Sequence, residues 1–239
     1  MKVICYKKPK IDLTPKKLAI LISCDYLYDS QYKLNSSIND INNITNLLIT
    51  QFNYKNEYIY VLKNYKKKNI IDFFKFILKI INPNDNIFFY FTGHGTDNAL
   101  VTEDSKLLYN FEIRNNFINL LKKNVKLFGL IDACHSENEF NLQYYYLNLN
   151  WVKNIKYNKP LCNVIMISAC MKNEVTWTIF NTSFITKLFT SIIMENNNIT
   201  LNELILRINY KILENGYKQT PILSSSEIIN LKDLVSVFI

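Results

Sequence analysis

The chain has 239 residues, 49% hydrophobic and 20% charged, so it can bury a sizeable core and is neither a disordered segment nor a membrane-embedded one. Its net charge of +8 comes from scattered lysines, with local runs at residues 66–68 and 153–159; it reads as a solvated surface, because no nucleic-acid motif accompanies it. No apolar run reaches the roughly 18 residues of a membrane span, residues 1–10 lack the apolar segment of a secretory signal, and the five cysteines form no C-x-x-C pair, all of which points to an intracellular, cytoplasmic chain with reduced thiols.

In chain order, residues 1–16 are a polar lead-in with two prolines and read as an arm. Residues 17–239 read as a single domain. The apolar run 18–23 predicts a buried strand, and residues 25–32 a polar, aromatic loop. Residues 35–50 predict a helix, with Ser36 or Ser37 as its cap and Ile38, Ile41, Ile44, Leu47 and Leu48 on one face. A second strand over 58–62 and a second helix over 69–81 follow, the helix stopped by Pro83. Strands over 87–91 and 125–131 flank a predicted helix over 111–123. Residues 143–159 have no clear period and read as an exposed connector. A fifth strand spans 164–169, helices span 183–194 and 201–214, and Gly216 stands where a left-handed helix cap favours glycine. A last short strand over 220–223 is expected at a sheet edge because of Pro221. Solid apolar strands separated by helices define an α/β class, a three-layer α/β/α sandwich with a mostly parallel central sheet.

Two of these strands end in reactive chemistry. Thr92-Gly-His-Gly95 follows the strand 87–91, and Asp132-Ala-Cys-His-Ser136 follows the strand 125–131. In an open α/β sheet reactive groups gather beyond the carboxyl ends of the strands. An imidazole there can take the proton of a thiol and leave a thiolate able to attack a carbonyl. His94 is assigned the base role. His135 adjoins Cys134 and, along an extended chain, points to the opposite side, so it gets a supporting role or none. Two of only four glycines flank His94. Cys24, Cys162 and Cys170 read as small buried residues, and Cys5 as incidental. Two histidines and no clustered cysteines speak against a zinc site.

The segments F-Y-F-T-G-H-G and D-A-C-H-S resemble the two halves of the metacaspase active site, in the caspase-like clan of cysteine peptidases. L-N-S-S-I-N-D-I in the first helix is similar to a family motif that usually reads G-C-x-N-D, and V-I-M-I-S-A-C and Q-T-P-I-L-S-S-S look like later family features. The resemblance runs from about Lys17 to Ser226, in the family's order. It implies a caspase-like fold and a cysteine endopeptidase that cuts proteins or peptides after Arg or Lys. It assigns Cys134 as nucleophile, His94 as base, and the backbone N–H groups of Gly95 and Cys134 as oxyanion donors. It makes Asp40 and Asp132 the acidic floor of the pocket before the cut bond, with Ser37 and Thr92 as its neutral walls. Self-processing is expected in the connector, after Lys153, Lys156 or Lys159. The family also implies a monomer.

Three departures stand out. Glu137 occupies a position where the family usually has glycine, which narrows the site or alters entry to it. The segment after Gly95 is short and carries only Asp97, Glu103 and Asp104, too few oxygens for calcium, so no cofactor and no calcium requirement are expected. Val175-Thr-Trp177 replaces small polar residues, with Trp177 either lining the cleft or packing in the core. Glu137 and the missing acidic loop also keep a second reading open, a caspase-fold interaction or regulatory module with little or no peptidase activity.

Overall fold

The computed structural model describes residues 15–27, 31–34, 36–179 and 181–239. Most of the expected arm 1–16, Cys5 and Asn35 lie outside them. The elements in order are β1 (Lys17–Ser23), α1 (Ser37–Phe52), β2 (Ile59–Lys63), α2 (Lys67–Ile80), β3 (Asn86–Thr92), β4 (Gly95–Thr96), β5 (Ala99–Val101) and β6 (Leu107–Tyr109). Then come α3 (Asn110–Asn116), β7 (Lys126–Asp132), β8 (Tyr144–Leu147), β9 (Asn150–Lys153), β10 (Asn163–Ser168), β11 (Thr178–Ile179), β12 (Thr182–Ser183), α4 (Phe184–Glu195), α5 (Leu201–Glu214) and β13 (Ile222–Ser225).

An eight-stranded sheet in the order β2-β1-β3-β7-β10-β13-β8-β9 forms the middle layer. Its first five strands run parallel; β13, β8 and β9 join antiparallel. Side chains alternate across each parallel strand. Ala19, Leu21, Phe88, Tyr90, Phe128 and Leu130 pack under α1, α4 and α5. Leu18, Ile20, Ile22, Phe89, Phe91 and Leu127 pack under α2 and α3. Both faces are therefore covered, which explains the unbroken apolar runs and gives the expected three-layer sandwich. No helix among the described residues is long and apolar enough to cross a membrane.

Four local expectations are corrected. The helix expected over 111–123 stops at Asn116, and a 3₁₀ turn at Ile118–Leu120 follows. The Asn116 side chain donates to the Glu112 carbonyl (2.9 Å), drawing on the backbone acceptor set that a longer helix would use. The strand near Pro221 is internal, between β10 and β8; Pro221 precedes its first residue, so the missing N–H costs no ladder bond. Ser36 occupies the cap position of α1 without a side-chain capping bond, and the Ser37 hydroxyl has no partner among the described residues.

The expected connector 143–159 is the fourth correction, since it contains the β8–β9 hairpin at the sheet edge. Leu147 pairs with Asn150, and the two residues between them, Asn148 and Leu149, have φ of 49° and 62°. Positive φ at both positions is the two-residue turn that matches strand twist, where Asn-Gly is usual. Leucine in place of glycine hides the turn in the sequence. Leu149 is 71% exposed, so its side chain gains nothing by packing. Leu149→Gly is expected to raise Tm by about 2–4 °C, since a left-handed backbone costs a non-glycine residue about 1 kcal/mol; an unchanged or lower Tm in thermal denaturation contradicts this.

Candidate active site

Strands β3 and β7 are neighbours, and their last residues, Thr92 and Asp132, face each other in register. The two loops that follow therefore leave the sheet side by side, one carrying His94 and the other Cys134. Both side chains line one cleft of about 110 Å³, together with Thr92, Asp132, Ser36, Thr176, Thr178 and Ser183.

The glycines beside His94 answer to space rather than to backbone conformation, for neither has a positive φ. A Cβ on Gly95 would lie 2.2 Å from the Cys134 carbonyl oxygen, and one on Gly93 would lie 2.8 Å from the Tyr26 hydroxyl. The backbones of Gly95 and Cys134 are thus in contact. In the β4–β5 pair the Val101 N–H donates to the His94 carbonyl (2.9 Å), which makes Gly95–Leu100 the non-bonded pair of that ladder and turns the Gly95 N–H away from β5.

His94 is held by a residue that the sequence does not mark. The Tyr26 hydroxyl accepts the His94 backbone N–H (2.7 Å) and donates to the Val101 carbonyl (2.8 Å), and the Tyr26 ring packs on the imidazole at 4.6 Å. The Glu103 carboxylate in turn accepts the N–H groups of Tyr26 (2.9 Å) and Leu27 (3.1 Å). His94 Nε2 lies 2.6 Å from the Tyr32 carbonyl oxygen. A carbonyl only accepts, so Nε2 carries the proton and Nδ1 keeps a lone pair for base work.

The Cys134 sulfur accepts the Thr176 N–H (3.4 Å) and lies 3.7 Å from the Thr176 hydroxyl. Among the described residues Thr176, and not His94, is its hydrogen-bond partner. Glu174 fixes the loop that carries Thr176: its carboxylate accepts from Met171 N–H (3.1 Å), Thr220 N–H (2.7 Å) and the Thr220 hydroxyl (2.9 Å). Trp177 is exposed and packs on Tyr217 at 5.2 Å, while its neighbours Thr176 and Thr178 line the cleft.

Beneath the cleft sit two carboxylates. Asp132 accepts the hydroxyl protons of Ser183 (2.6 Å) and Thr186. Asp40 accepts the Ser183 N–H (2.9 Å) and the Thr92 hydroxyl (3.3 Å). Both are buried, and among the described residues neither forms an ion pair. Burial pushes both up from the ordinary carboxylate range, and for Asp40 the charge of Asp132 adds to it. Asp132 touches the cleft directly, whereas Asp40 acts through Thr92 and Ser183. Ser37 is buried beside the cleft and does not line it; Ser36 takes that place. Ser183 and Thr186, missed by sequence reading, had one signal: polar residues recurring at three- and four-residue spacing, with Thr190, on the otherwise apolar start of α4.

His135 turns away from the thiol. Its Nδ1 meets the Lys172 carbonyl, its N–H donates to the Glu174 carbonyl (3.2 Å), and its ring lines a second pocket of about 200 Å³ with Glu137 and Glu139. Glu137 therefore belongs to this second pocket and does not narrow the Cys134 cleft. Glu139 is 1% exposed, one carboxyl oxygen has no partner among the described residues, and burial pushes it up to about 8.

The acids after Gly95 have internal partners. Asp97 pairs with Lys172 (3.3 Å), Glu103 holds Tyr26 and Leu27, and Asp104 accepts the Lys67 N–H (3.0 Å) and the Thr102 hydroxyl (2.7 Å). Of the connector lysines, all exposed, Lys153 ends β9, Lys156 sits in a turn, and Lys159 pairs with Glu227.

A thiol and an imidazole at adjacent strand ends of a sandwich sheet, above paired acids, define the class: a caspase-type α/β domain with a cysteine-centred cleft. The sequence profile of the Caspase domain family (Peptidase_C14) matches residues 16–231, and the chain belongs to that family. It is 29% identical over 164 residues to Metacaspase-1 of Eremothecium gossypii, covering 59% of this chain and 36% of that protein. It is 24% identical over 206 residues to Metacaspase-2 of Trypanosoma brucei brucei, covering 72% and 59%. The chain thus spans about a third to three-fifths of the length of these relatives. Among solved structures it resembles the protein GSU0716 from Geobacter sulfurreducens (TM-score 0.71, 14% identity, 93% of this chain and 98% of that one). It also resembles Caspase-1 from Spodoptera frugiperda (TM-score 0.66, 14% identity, 88% and 86%).

The buried acids fix how stability responds to pH. Asp40, Asp132 and Glu139 bind protons more tightly folded than unfolded, so the folded state holds the extra protons. Stability is then highest near the ordinary carboxylate range, about pH 4, and falls as pH rises to about 8, where Glu139 titrates. Tm is expected to drop by about 5 °C or more between pH 5 and pH 8, and Glu139→Gln to flatten part of that slope. A Tm that rises over this range contradicts the assignment.

Proposed function

We propose that this chain is a cysteine endopeptidase that cuts polypeptides after Arg or Lys. The carrying observation is that two buried carboxylates without a cation lie beneath the cleft that presents both Cys134 and His94. Once ionised, such buried groups need a partner, and the guanidinium or ammonium of a substrate residue before the cut bond supplies one. Thr92 and Ser36 form the neutral walls beside Asp132, and Asp40 backs them.

With that side chain seated, the carbonyl of the cut bond lies at the Cys134 sulfur. The substrate displaces Thr176 from the thiol, and His94 Nδ1 takes the thiol proton; free sites of this kind often tighten only when loaded. Sulfur bonds to the carbonyl carbon, and the resulting oxyanion is met by the N–H groups of Gly95 and Cys134. The carbon–nitrogen bond breaks as His94 returns its proton to the leaving amine. Water, deprotonated by His94, then attacks the thioester, releases the acid and regenerates the thiol.

The contact between Cys134 and Thr176 favours a second reading, a resting domain that binds partners without cutting them. Fluorogenic Arg and Lys peptides separate the two. The first reading expects turnover that Cys134→Ala abolishes and that Asp132→Asn lowers by about 10²–10³-fold in kcat/KM, the cost of leaving one buried charge unpaired. Turnover that survives Cys134→Ala, or no turnover by the wild type, rejects it. Tyr26→Phe should lower kcat with KM nearly unchanged, because Tyr26 orients His94 and does not line the cleft.

The engagement of Asp97, Glu103 and Asp104 within the chain supports activity without calcium, so rates with chelator and with added calcium should agree within about twofold. Self-processing is expected in the turn at Lys156, where exposed backbone can be unfolded locally, ahead of Lys153 in its strand. Mass spectrometry of incubated protein identifies the cut.

A further inference from the structure

Glu139 is a buried acid for which the proposed chemistry has no use. It lies five residues past Cys134, is almost fully enclosed, and has one oxygen without a hydrogen-bond partner among the described residues. No ion pair reaches it among the described residues. The nearby cations are committed elsewhere. Lys172, at the rim of the same pocket, pairs with Asp97, and the Arg114 guanidinium donates to the carbonyls of Phe140 and Asn158. An ionised, unpaired carboxylate at such depth would cost several kcal/mol, so the group holds its proton until a cation is brought to it; Glu139 is among the residues lining an open pocket of about 200 Å³. Glu137 adds a second carboxylate to the lining.

We infer that this pocket receives the cationic side chain, lysine or arginine, of a substrate residue on the leaving side of the cut bond. The inference rests on the proposed peptidase reading. Asp132, Cys134 and His135 are nearly consecutive, and they lead from the acidic cleft, past the sulfur, into this second pocket. A peptide whose basic side chain sits over Asp132 places its carbonyl at Cys134, and the residues beyond the cut bond continue toward His135. Four donors or acceptors of the lining are already engaged within the protein and favour an organic cation over a metal ion. The Asn138 side-chain oxygen accepts the Leu142 N–H (2.8 Å), Asn154 accepts the Lys156 N–H (3.1 Å), Asn98 accepts from Asn110 (3.4 Å), and His135 Nδ1 is taken by Lys172. Two carboxylates alone fall short of the roughly six to eight oxygens of calcium, and no group of three or more His, Cys, Asp or Glu among the described residues could hold a metal.

The test has two arms. In the first, peptides with Arg before the cut bond carry Lys, norleucine or Glu in turn at each of the three positions after it. Wild-type protein is expected to prefer Lys over norleucine about tenfold in kcat/KM at one position, and Glu139→Gln to bring that ratio to about one. Equal rates for Lys and norleucine at every position, or a preference that survives in Glu139→Gln, overturns the inference. In the second arm, fluorescence anisotropy follows labelled peptides of the leaving side alone, without Arg, binding to Cys134→Ala. Lysine-selective binding that the added Glu139→Gln change removes upholds the pocket, even if no peptide is ever cut, in which case only the peptidase reading fails. Absence of lysine-selective binding overturns the inference. So does displacement by millimolar calcium chloride but not by lysine amide, which would assign the pocket to a metal ion. Glu139→Gln removes an unpaired buried acid at constant shape, so the variant is expected to fold.

Discussion

The carboxyl groups of Asp40 and Asp132 tie together the elements that meet beneath the cleft. They sit on different elements, α1 and the end of β7, and are drawn together by Ser183 at the start of α4, which gives its N–H to one and its hydroxyl to the other. Thr92 and Thr186 complete the set, and Thr186 hands the network on to Tyr90 in the core (2.7 Å). Such an arrangement is costly without a cation, because burial and mutual repulsion both oppose ionisation. It persists because five elements of the fold over-determine it. In the free chain protonation relieves part of that cost.

The strand ends supply the other half of the geometry. Register between β3 and β7 sets Thr92 opposite Asp132, and a shift of one residue would send every side chain of either strand to the wrong face. The loops beyond are then placed to within hydrogen-bond distances by groups outside the cleft. Tyr26 fixes His94 from the β1 side and is itself clamped by Glu103. Glu174 fixes the loop of Thr176 from the β13 side through Thr220. His94 and Cys134 are therefore held from opposite flanks of the sheet, and Thr176 occupies the Cys134 sulfur.

Much of this was legible in the sequence. The apolar runs gave the five parallel strands because a strand buried on both faces has no polar side to show. T-G-H-G and D-A-C-H-S stood out as polar segments directly after such runs. What stayed hidden has physical reasons too. The β8–β9 hairpin turns on Asn148-Leu149, without the glycine that signals such a turn, and its tyrosines are half-buried, so no alternation shows. Tyr26, Ser183 and Thr176 reach the site by tertiary contact alone, across 42 to 143 residues of chain for the bonds they make there. Spacing in the sequence carries no record of that. Ser37 and Ser36 exchanged places because a helix start can turn either of two adjacent serines toward the cleft, and only packing decides which.

Glu137 and Glu139 change meaning in this light. In the sequence, a glutamate directly after D-A-C-H-S suggests crowding of the thiol. In the fold, the chain reverses at His135, whose φ of 56° turns it away from the cleft, and the acids that follow face a different cavity. Cys134 therefore stands between two acid-lined recesses, one beneath Thr92 and one beyond His135. Among the described residues the first holds no cation, and the Lys172 ammonium at the second is paired with Asp97. In the proposed reading, an extended basic segment with one positive side chain on either side of the bond at Cys134 would satisfy both recesses at once.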